Sequence, residues 1–284
     1  MKLSDIHIRD PFILPEEGKY YLYGSRGGEA WGKCTGLDVY VSEDLEDWFE
    51  PIVAFTPPAD FWSDTNFWAP EVHKYKGKYF MFVSFISDVR DRGTQILIAD
   101  SPMGPFVPHS DGPVTPAHYR SLDGTLYIDD EGVPYMIFCH EHRQVIDGEM
   151  CWLQLSDDLK EAVGEPQLMF TATEPIWSLK NQPSYITDGP YVYRTKGGKF
   201  LLLWSSFCED GYAEAIAYSD NGQLDGKWIH CEKPLYSGDG GHGMVFTTFD
   251  GRLMLVLHTP NGRPNERPVL IELYEENDML YVKK

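Results

Sequence analysis

Apolar and polar positions alternate in short runs along the chain, and the runs come in pairs joined by a glycine-containing turn. Each pair begins with a polar residue, continues as an alternating strand, turns, and returns as a second, more apolar strand. The pattern occurs in RDPFILPEEGKYYLYGS, APEVHKYKGKYFMFVSF, SLDGTLYIDDEGVPYMIFCH, ITDGPYVYRTKGGKFLLLWSS and GHGMVFTTFDGRLMLVLHTP. This repeat predicts five successive β-hairpins.

The segments between the hairpins add further short strands separated by Asp, Ser, Gly and Pro turns, as in LDVYVSEDLEDWFEP and TQILIADSPMGPFVP. Four strands per repeat and five repeats predict an all-β chain folded as a five-bladed β-propeller, with residues 1–284 forming one domain. A β-sandwich and a parallel β-helix are the alternatives. Helical periodicity is nearly absent, and the segment 156–163 is the one weak helical candidate.

Four of the five hairpins begin at an acidic residue and the fifth at a histidine. In chain order the residues are Asp10, Glu71, Asp123, Asp188 and His242. Because the first strand of each propeller blade lines the central channel, we expect these side chains to converge there. An acidic residue at a strand start is often only a turn former, and we interpret Glu71 in that way. The other three are each followed by Pro or Gly, which favours a shared functional site.

Two or three carboxylates in one pocket are typical of glycosidic bond cleavage. One carboxylic acid with a raised pKa protonates the leaving oxygen, a second activates water or attacks the sugar, and a third tunes the acid. His242 lies in the glycine-rich segment GDGGHGMVF. On the channel axis it is a candidate to hold a central ion or water, whereas alone it would be interpreted as a hydrogen-bonded core histidine.

Composition restricts the partners and the location. The 24 Lys and Arg against 44 Asp and Glu give a net charge of −20, which argues against nucleic acid or an anionic membrane as partner. Aromatic residues make up 14% of the chain and suit both strands and sugar stacking. The five cysteines lack metal-site spacing and are interpreted as buried thiols. With no signal-like segment at the start, we expect a cytoplasmic protein, or an exported one if a leader has been removed.

The motifs IRDPFIL, FWAPEVHKYKGKYFMF, SLDGTLYIDDEGVPYM, TDGPYVYR and GHGMVFTTFDGRLMLVLH resemble glycoside hydrolase family 43 over essentially the whole chain. The resemblance implies a five-bladed propeller that hydrolyses α-L-arabinosyl and β-D-xylosyl linkages with inversion. It implies that Asp10 is the general base, that Asp123 modulates the pKa of the acid, and that the general acid falls on Asp188. Family members usually have Glu-Gly-Pro at this last position, and here the sequence is Asp188-Gly189-Pro190.

The same resemblance extends to binding residues. His242 is similar to the central histidine that family members place near a bound calcium, which it would hold through water. Trp68 is a candidate stacking wall for the sugar, or a core residue, and Arg267 is similar to a late arginine that approaches the acid or substrate. We therefore predict an exo-acting arabinofuranosidase or xylosidase. The shortened acid leaves a non-catalytic or weakly active carbohydrate-binding propeller as the alternative, and a purely structural or protein-interaction propeller ranks third.

Overall fold

The computed structural model describes residues 1–283, and within that range it contains twenty β-strands in five four-stranded antiparallel sheets, blades I to V. Blade I comprises β1 (Ile8–Glu16), β2 (Lys19–Arg26), β3 (Leu37–Ser42) and β4 (Ile52–Phe55). Blade II comprises β5 (Thr65–Tyr75), β6 (Lys78–Ser87), β7 (Arg90–Ala99) and β8 (Val107–Pro113). Blade III comprises β9 (Ser121–Ile128), β10 (Pro134–His140), β11 (Glu149–Leu155) and β12 (Ala162–Thr171).

Blade IV comprises β13 (Asp188–Arg194), β14 (Phe200–Cys208), β15 (Gly211–Ser219) and β16 (Trp228–His230). Blade V comprises β17 (Gly241–Thr247), β18 (Leu253–Thr259), β19 (Arg267–Glu276) and β20 (Met279–Val282). The first strands of successive blades contact one another, and β17 contacts β1. The sheets therefore close into a five-bladed propeller with these five strands around the central channel, and the predicted fold is confirmed.

Apolar side chains fill the spaces between blades. Phe67 of β5 and Phe85 of β6 lie edge to face at 4.7 Å in the cluster that joins blades I and II. Trp204 of β14 is fully buried and packs on Phe170 of β12, linking blades III and IV. Burying such a side chain contributes about 1.5–3 kcal/mol, so packing between neighbouring blades stabilises the strands.

The five predicted hairpins are all present, each as the first two strands of a blade. The helical candidate at 156–163 is wrong, because this segment is a turn closed by the Ser156 hydroxyl and continues directly into β12. The short helix α1 (His142–Val145) and a 3-10 helix (Leu3–Asp5) were not predicted. No helix in residues 1–283 is long and apolar enough to cross a membrane. All five cysteines are free, and four are buried.

A β-bulge interrupts the first strand of every blade at the same point. In each bulge one residue has left-handed backbone, with φ between 48° and 57°. These residues are Asp10, Ala69, Asp123, Gly189 and His242. For a residue other than glycine this conformation costs about 1–3 kcal/mol, and such strain is concentrated at functional sites.

The bulge corrects two positions in the sequence-based alignment of the hairpins. In blade II the residue equivalent to Asp10 is Ala69, two residues before Glu71. In blade IV it is Gly189, so that Asp188 stands one residue earlier in its strand than Asp10 and Asp123 do in theirs. Asp188 pairs with Ser205 of β14, as Arg9 pairs with Ser25 of β2. The carboxylates of blades I and IV therefore occupy different positions of one repeated structure.

Each bulge frees a backbone N–H from the strand ladder, and a side chain of the preceding blade accepts it. Ser25, Ser84 and Ser205 accept from Ala69, Asp123 and His242 at 2.7–2.9 Å. His258 Nδ1 accepts from Asp10 at 3.2 Å, and the Asp123 carboxylate accepts from Gly189 at 3.1 Å. Because a buried N–H without a partner is costly, these bonds stabilise the bulges and link the blades pairwise.

Candidate active site

A pocket in the central channel collects side chains from all five blades. Its lining residues are Arg9, Asp10, Trp31, Trp68, Leu122, Asp123, Asp188 and His242. The structure therefore brings together five of the six predicted site residues, and Arg267 is the one that does not line the pocket. Larger surface hollows exist, but the most apolar of them, beside Ile186 and Phe207, contains no carboxylate.

His242 lies between the carboxylates. Its Nδ1 is 3.3 Å from Asp10 Oδ1 and 3.7 Å from Asp123 Oδ2. Burial opposes its protonation, but the charges of Asp10, Asp123 and Asp188 outweigh burial and raise the pKa of His242 to about 9. Gly189 permits the close approach, because a Cβ at this position would lie 2.8 Å from the imidazole ring. The centre of the pocket thus holds an imidazolium at neutral pH.

Asp10 is held in its ionised form. Burial would raise its pKa, but the charges of His242, Arg9 and His258 and a hydrogen bond from Ser25 outweigh burial and lower the pKa below the usual range. The Ser25 hydroxyl donates to Asp10 Oδ2 at 2.6 Å. His258 contacts the same residue, and burial is the main cause that lowers the pKa of this histidine to about 4. A buried carboxylate that stays ionised suits a general base.

The pKa of Asp188 is shifted in the opposite direction. Burial raises its pKa to about 6, despite the charge of His242 and a hydrogen bond from Tyr212, and the charge of Asp10 adds to the rise. The Tyr212 hydroxyl donates to Asp188 Oδ2 at 3.0 Å. A carboxyl group with a pKa near 6 carries a proton through mildly acidic pH and can donate it to a leaving oxygen.

Asp123 completes the set of three. Burial raises its pKa well above the usual range, the charge of His242 opposes this, and the charges of Asp188 and Asp10 add to the rise. Its Oδ2 accepts the Gly189 backbone N–H, which ties it to the residue that follows Asp188. The charge of Asp188 thus acts on Asp123, and the role of Asp123 in modulating the acid stays a prediction.

Two tryptophans form one wall of the pocket. Trp68 donates its indole N–H to the Ala30 carbonyl and meets the edge of Trp31, with ring centroids 4.8 Å apart. The guanidinium of Arg92 lies 3.5 Å from the Trp68 ring centroid, which fixes the indole by a cation–π contact. Trp68 is therefore a fixed aromatic surface that borders the carboxylates.

Arg267 and Glu71 lie away from the pocket. The guanidinium of Arg267 donates to the backbone carbonyls of Ser4, Pro264 and Glu266. These hydrogen bonds connect the start of β19 to the N-terminal segment. The role of Arg267 in substrate binding stays a prediction. Glu71 is buried beside His73, with Oε2 3.1 Å from Nε2, which agrees with its interpretation as structural.

The sequence-based prediction missed residues that support the carboxylates: Arg9, Ser25, Trp31, Tyr212 and His258. For Ser25 and His258 the sequence contained a signal. The seventh residue after each hairpin's turn glycine is Ser25, Ser84, Cys139, Ser205 or His258, all polar except the cysteine. For Arg9 the sequence showed only that it precedes Asp10, and it predicted no role. The Arg9 guanidinium donates to the Glu266 carboxylate at 3.1 Å and the Asn261 amide oxygen at 2.9 Å, from the other end of the chain.

Direct coordination of a metal by His242 does not fit this arrangement. Its Nδ1 already faces two carboxylates, at 3.3 Å and 3.7 Å, which occupy the space beside this nitrogen. Among residues 1–283 no three His, Cys, Asp or Glu side chains are placed as metal ligands. Calcium held through water stays a prediction, and no catalytic step is assigned to it.

A propeller channel with two carboxyl groups of divergent pKa beside an aromatic wall is typical of glycosidases that act through paired carboxylates. The comparison with known families leads to the same class. The profile of glycosyl hydrolases family 43 matches residues 4–278, and the chain belongs to that family.

Solved structures of similar chains agree with this assignment. An endo-arabinase from Bacteroides thetaiotaomicron VPI-5482 is 39% identical, with 98% of each chain covered and a TM-score of 0.90. A thermostable family-43 glycoside hydrolase is 27% identical, covering 98% of this chain and 93% of the other, with a TM-score of 0.86. An endo-1,4-beta-xylanase, also from B. thetaiotaomicron, is 25% identical, with coverage of 98% and 95% and a TM-score of 0.82.

Two characterised relatives match over shorter segments. The extracellular endo-alpha-(1->5)-L-arabinanase 1 of Bacillus subtilis (strain 168) is 26% identical over 141 residues, which are 46% of this chain and 42% of that protein. The xylosidase/arabinosidase 43A of Humicola insolens is 24% identical over 153 residues, which are 48% of this chain and 44% of that protein. Each match thus spans less than half of the relative's length.

Proposed function

We propose that this protein is an inverting glycosidase that cleaves α-L-arabinofuranosyl or β-D-xylosyl linkages in fragments of plant cell-wall polysaccharides. The observation that carries the proposal is the divergence of two carboxyl groups in one pocket: Asp10 has a depressed pKa, and Asp188 has a pKa raised to about 6. One fold thereby supplies both a base and an acid at the same pH.

In this mechanism the ionised Asp10 accepts a proton from a water molecule, and that water attacks the anomeric carbon. Asp188 donates its proton to the glycosidic oxygen as the bond to the leaving sugar breaks. His242 keeps Asp10 ionised through its positive charge. Asp123, bonded to the Gly189 N–H, stays in contact with the strand that carries Asp188.

The relatives favour arabinose as the first sugar to test, because the 39% identical structure is an endo-arabinase. Linear arabino-oligosaccharides, xylo-oligosaccharides and the corresponding 4-nitrophenyl glycosides would be compared, with the anomer of the first product followed by proton NMR. We expect hydrolysis of at least one arabinosyl or xylosyl substrate with inversion. Single sugars released from chain ends would support the predicted exo action, whereas mixed oligosaccharides would support endo action.

The substitution of the usual glutamate by Asp188 supports one competing hypothesis, a propeller that binds sugars without turnover. Calorimetry with the same oligosaccharides separates the two. Binding without hydrolysis, in both the wild type and Asp188→Glu, would reject the enzyme and favour the binding protein. Hydrolysis with retention of configuration would reject the proposed roles of Asp10 and Asp188.

A further inference from the structure

A further buried carboxyl group, that of Glu214, lies in blade IV and takes no part in the chemistry described above. It is fully buried in β15. Glu214 pairs with Ser205 of β14, which in turn pairs with Asp188 of β13. Because directly paired residues of adjacent strands place their side chains on the same face of a sheet, all three face the same neighbouring blade.

The Glu214 carboxylate is hydrogen-bonded, directly and through Ser205, to the backbone around His242. Its Oε2 accepts the Gly243 N–H at 2.8 Å and the Ser205 hydroxyl at 2.7 Å. The Ser205 oxygen in turn accepts the His242 N–H at 2.7 Å. Glu214 therefore fixes two successive N–H groups of blade V, one directly and the other through Ser205.

The equivalent serine in blade I needs no such support. Ser25 accepts the Ala69 N–H and donates its own hydrogen to Asp10. Ser205 donates its hydroxyl hydrogen to Glu214 and not to a carboxylate of the pocket. Within residues 1–283 Glu214 Oε1 has no hydrogen-bond partner, and burial is the main cause that raises the pKa of the group to about 7. A buried acid kept at such a cost requires an explanation.

We propose that Glu214 is a positioning residue: through Ser205 and Gly243 it holds the left-handed backbone of His242, and thereby the imidazolium, against Asp10. His242 has a φ of 53° and stands 3.3 Å from Asp10 Oδ1. If these bonds are lost, the backbone can relax towards ordinary strand geometry and the imidazolium moves away from Asp10. The pKa of Asp10 then rises, and the pKa of His242 falls.

The test compares four variants with the wild type. Glu214→Leu and Ser205→Ala remove the support, whereas Glu214→Gln keeps an oxygen that can accept from both Ser205 and Gly243. Ser219→Ala is the matched control, because it deletes a buried hydroxyl that bonds the Gln223 carbonyl at the outer end of β15. The measurements are the NMR titration of the His242 ring and the pH dependence of kcat/KM on the best aryl glycoside.

We expect Glu214→Leu and Ser205→Ala to lower the His242 pKa by about one unit or more, since that shift corresponds to a weakened ion pair. We expect the acidic limb of kcat/KM to move to higher pH and the maximum to fall about tenfold to 10²-fold, as for other misplaced catalytic groups. Glu214→Gln and Ser219→Ala should keep the wild-type His242 pKa and acidic limb.

Folded Ser205→Ala with a wild-type His242 titration and acidic limb would overturn the proposal, and this variant decides the question if Glu214→Leu does not fold. The kinetic readout rests on the proposed function, but the NMR titration does not. A wild-type protein that hydrolyses no glycoside would reject the proposed function, while the His242 titration would still decide the role of Glu214.

Discussion

Blades I and IV carry the same bulge at the same point of the first strand, yet the pKa values of their carboxyl groups are shifted in opposite directions. Asp10 is the bulge residue itself and is surrounded by donors and cations: Ser25, His242 and Arg9. Asp188 precedes its bulge and has a neutral phenol, Tyr212, as its hydrogen-bond donor. Asp10 is buried and Asp188 is partly buried, and burial raises the pKa of both carboxyl groups, so burial alone does not explain the opposite shifts.

The difference shows that the backbone determines where each carboxyl group lies, whereas the neighbouring side chains determine the direction in which its pKa is shifted. A one-residue offset along the strand places Asp10 against His242 and Arg9 and places Asp188 against Tyr212. The first environment stabilises the charged form of the carboxyl group, and the second compensates only part of the effect of burial. Two carboxyl groups with pKa shifts of opposite sign are thus produced from one repeated structural unit.

The largest effect is expected from removing the base. Asp10→Asn cannot accept a proton from water, so kcat should fall by about 10⁴-fold on every substrate, at the upper end of what general base catalysis contributes. The His242 pKa, which Asp10 raises, should fall as well, and an NMR titration of the ring measures this independently. Activity near that of the wild type would show that Asp10 is not the base.

Removing the acid should have an effect that depends on the leaving group. Asp188→Asn should lower kcat by about 10²–10³-fold on oligosaccharides, which need a proton on the departing oxygen. On 4-nitrophenyl glycosides, whose leaving group departs as a stable anion, the loss should be under about tenfold. Asp188→Glu serves as the control with a carboxyl group retained. Equal losses on both substrate types would argue against Asp188 as the acid.

A smaller effect is expected from the donor to the base. Ser25→Ala removes the hydrogen bond that favours ionised Asp10, so the Asp10 pKa should rise and the acidic limb of kcat/KM should move up by about one pH unit. Ser84→Ala is the matched control, because Ser84 also accepts a bulge N–H but contacts no carboxylate oxygen in residues 1–283. Both variants should unfold at a lower temperature than the wild type. Only Ser25→Ala should shift the acidic limb of kcat/KM.

The smallest effect is expected from the donor to the acid. The Tyr212 hydroxyl stabilises ionised Asp188 and thereby lowers its pKa, so Tyr212→Phe should raise that pKa above about 6. Since Asp188 acts in its protonated form, the alkaline limb of kcat/KM should move to higher pH while the maximum changes only about threefold. A limb that moves to lower pH would contradict the assignment of Asp188 as the acid.

The hairpins, their number and the residues that enter the channel were predictable, because each depends on local alternation and on turn residues that recur in every repeat. Asp10, Asp123, Asp188 and His242 were placed together by this reasoning and lie in one pocket, which Trp68, predicted as either a stacking wall or a core residue, also lines. Family membership followed from the same motifs. The bulge was not predictable, because its left-handed residue is Asp, Ala, Gly or His in different blades.

The sequence by itself determined a ring of five similar blades and which carboxylates it collects, since strand period and turn spacing are local properties. Only the tertiary structure decided in which direction the pKa of each carboxyl group is shifted. The groups that set the two pKa values, His242, His258 and Tyr212, come from other strands and, for Asp10, from another blade far away in the chain. Electrostatic interactions depend on distance in space, and the closure of the ring fixes those distances.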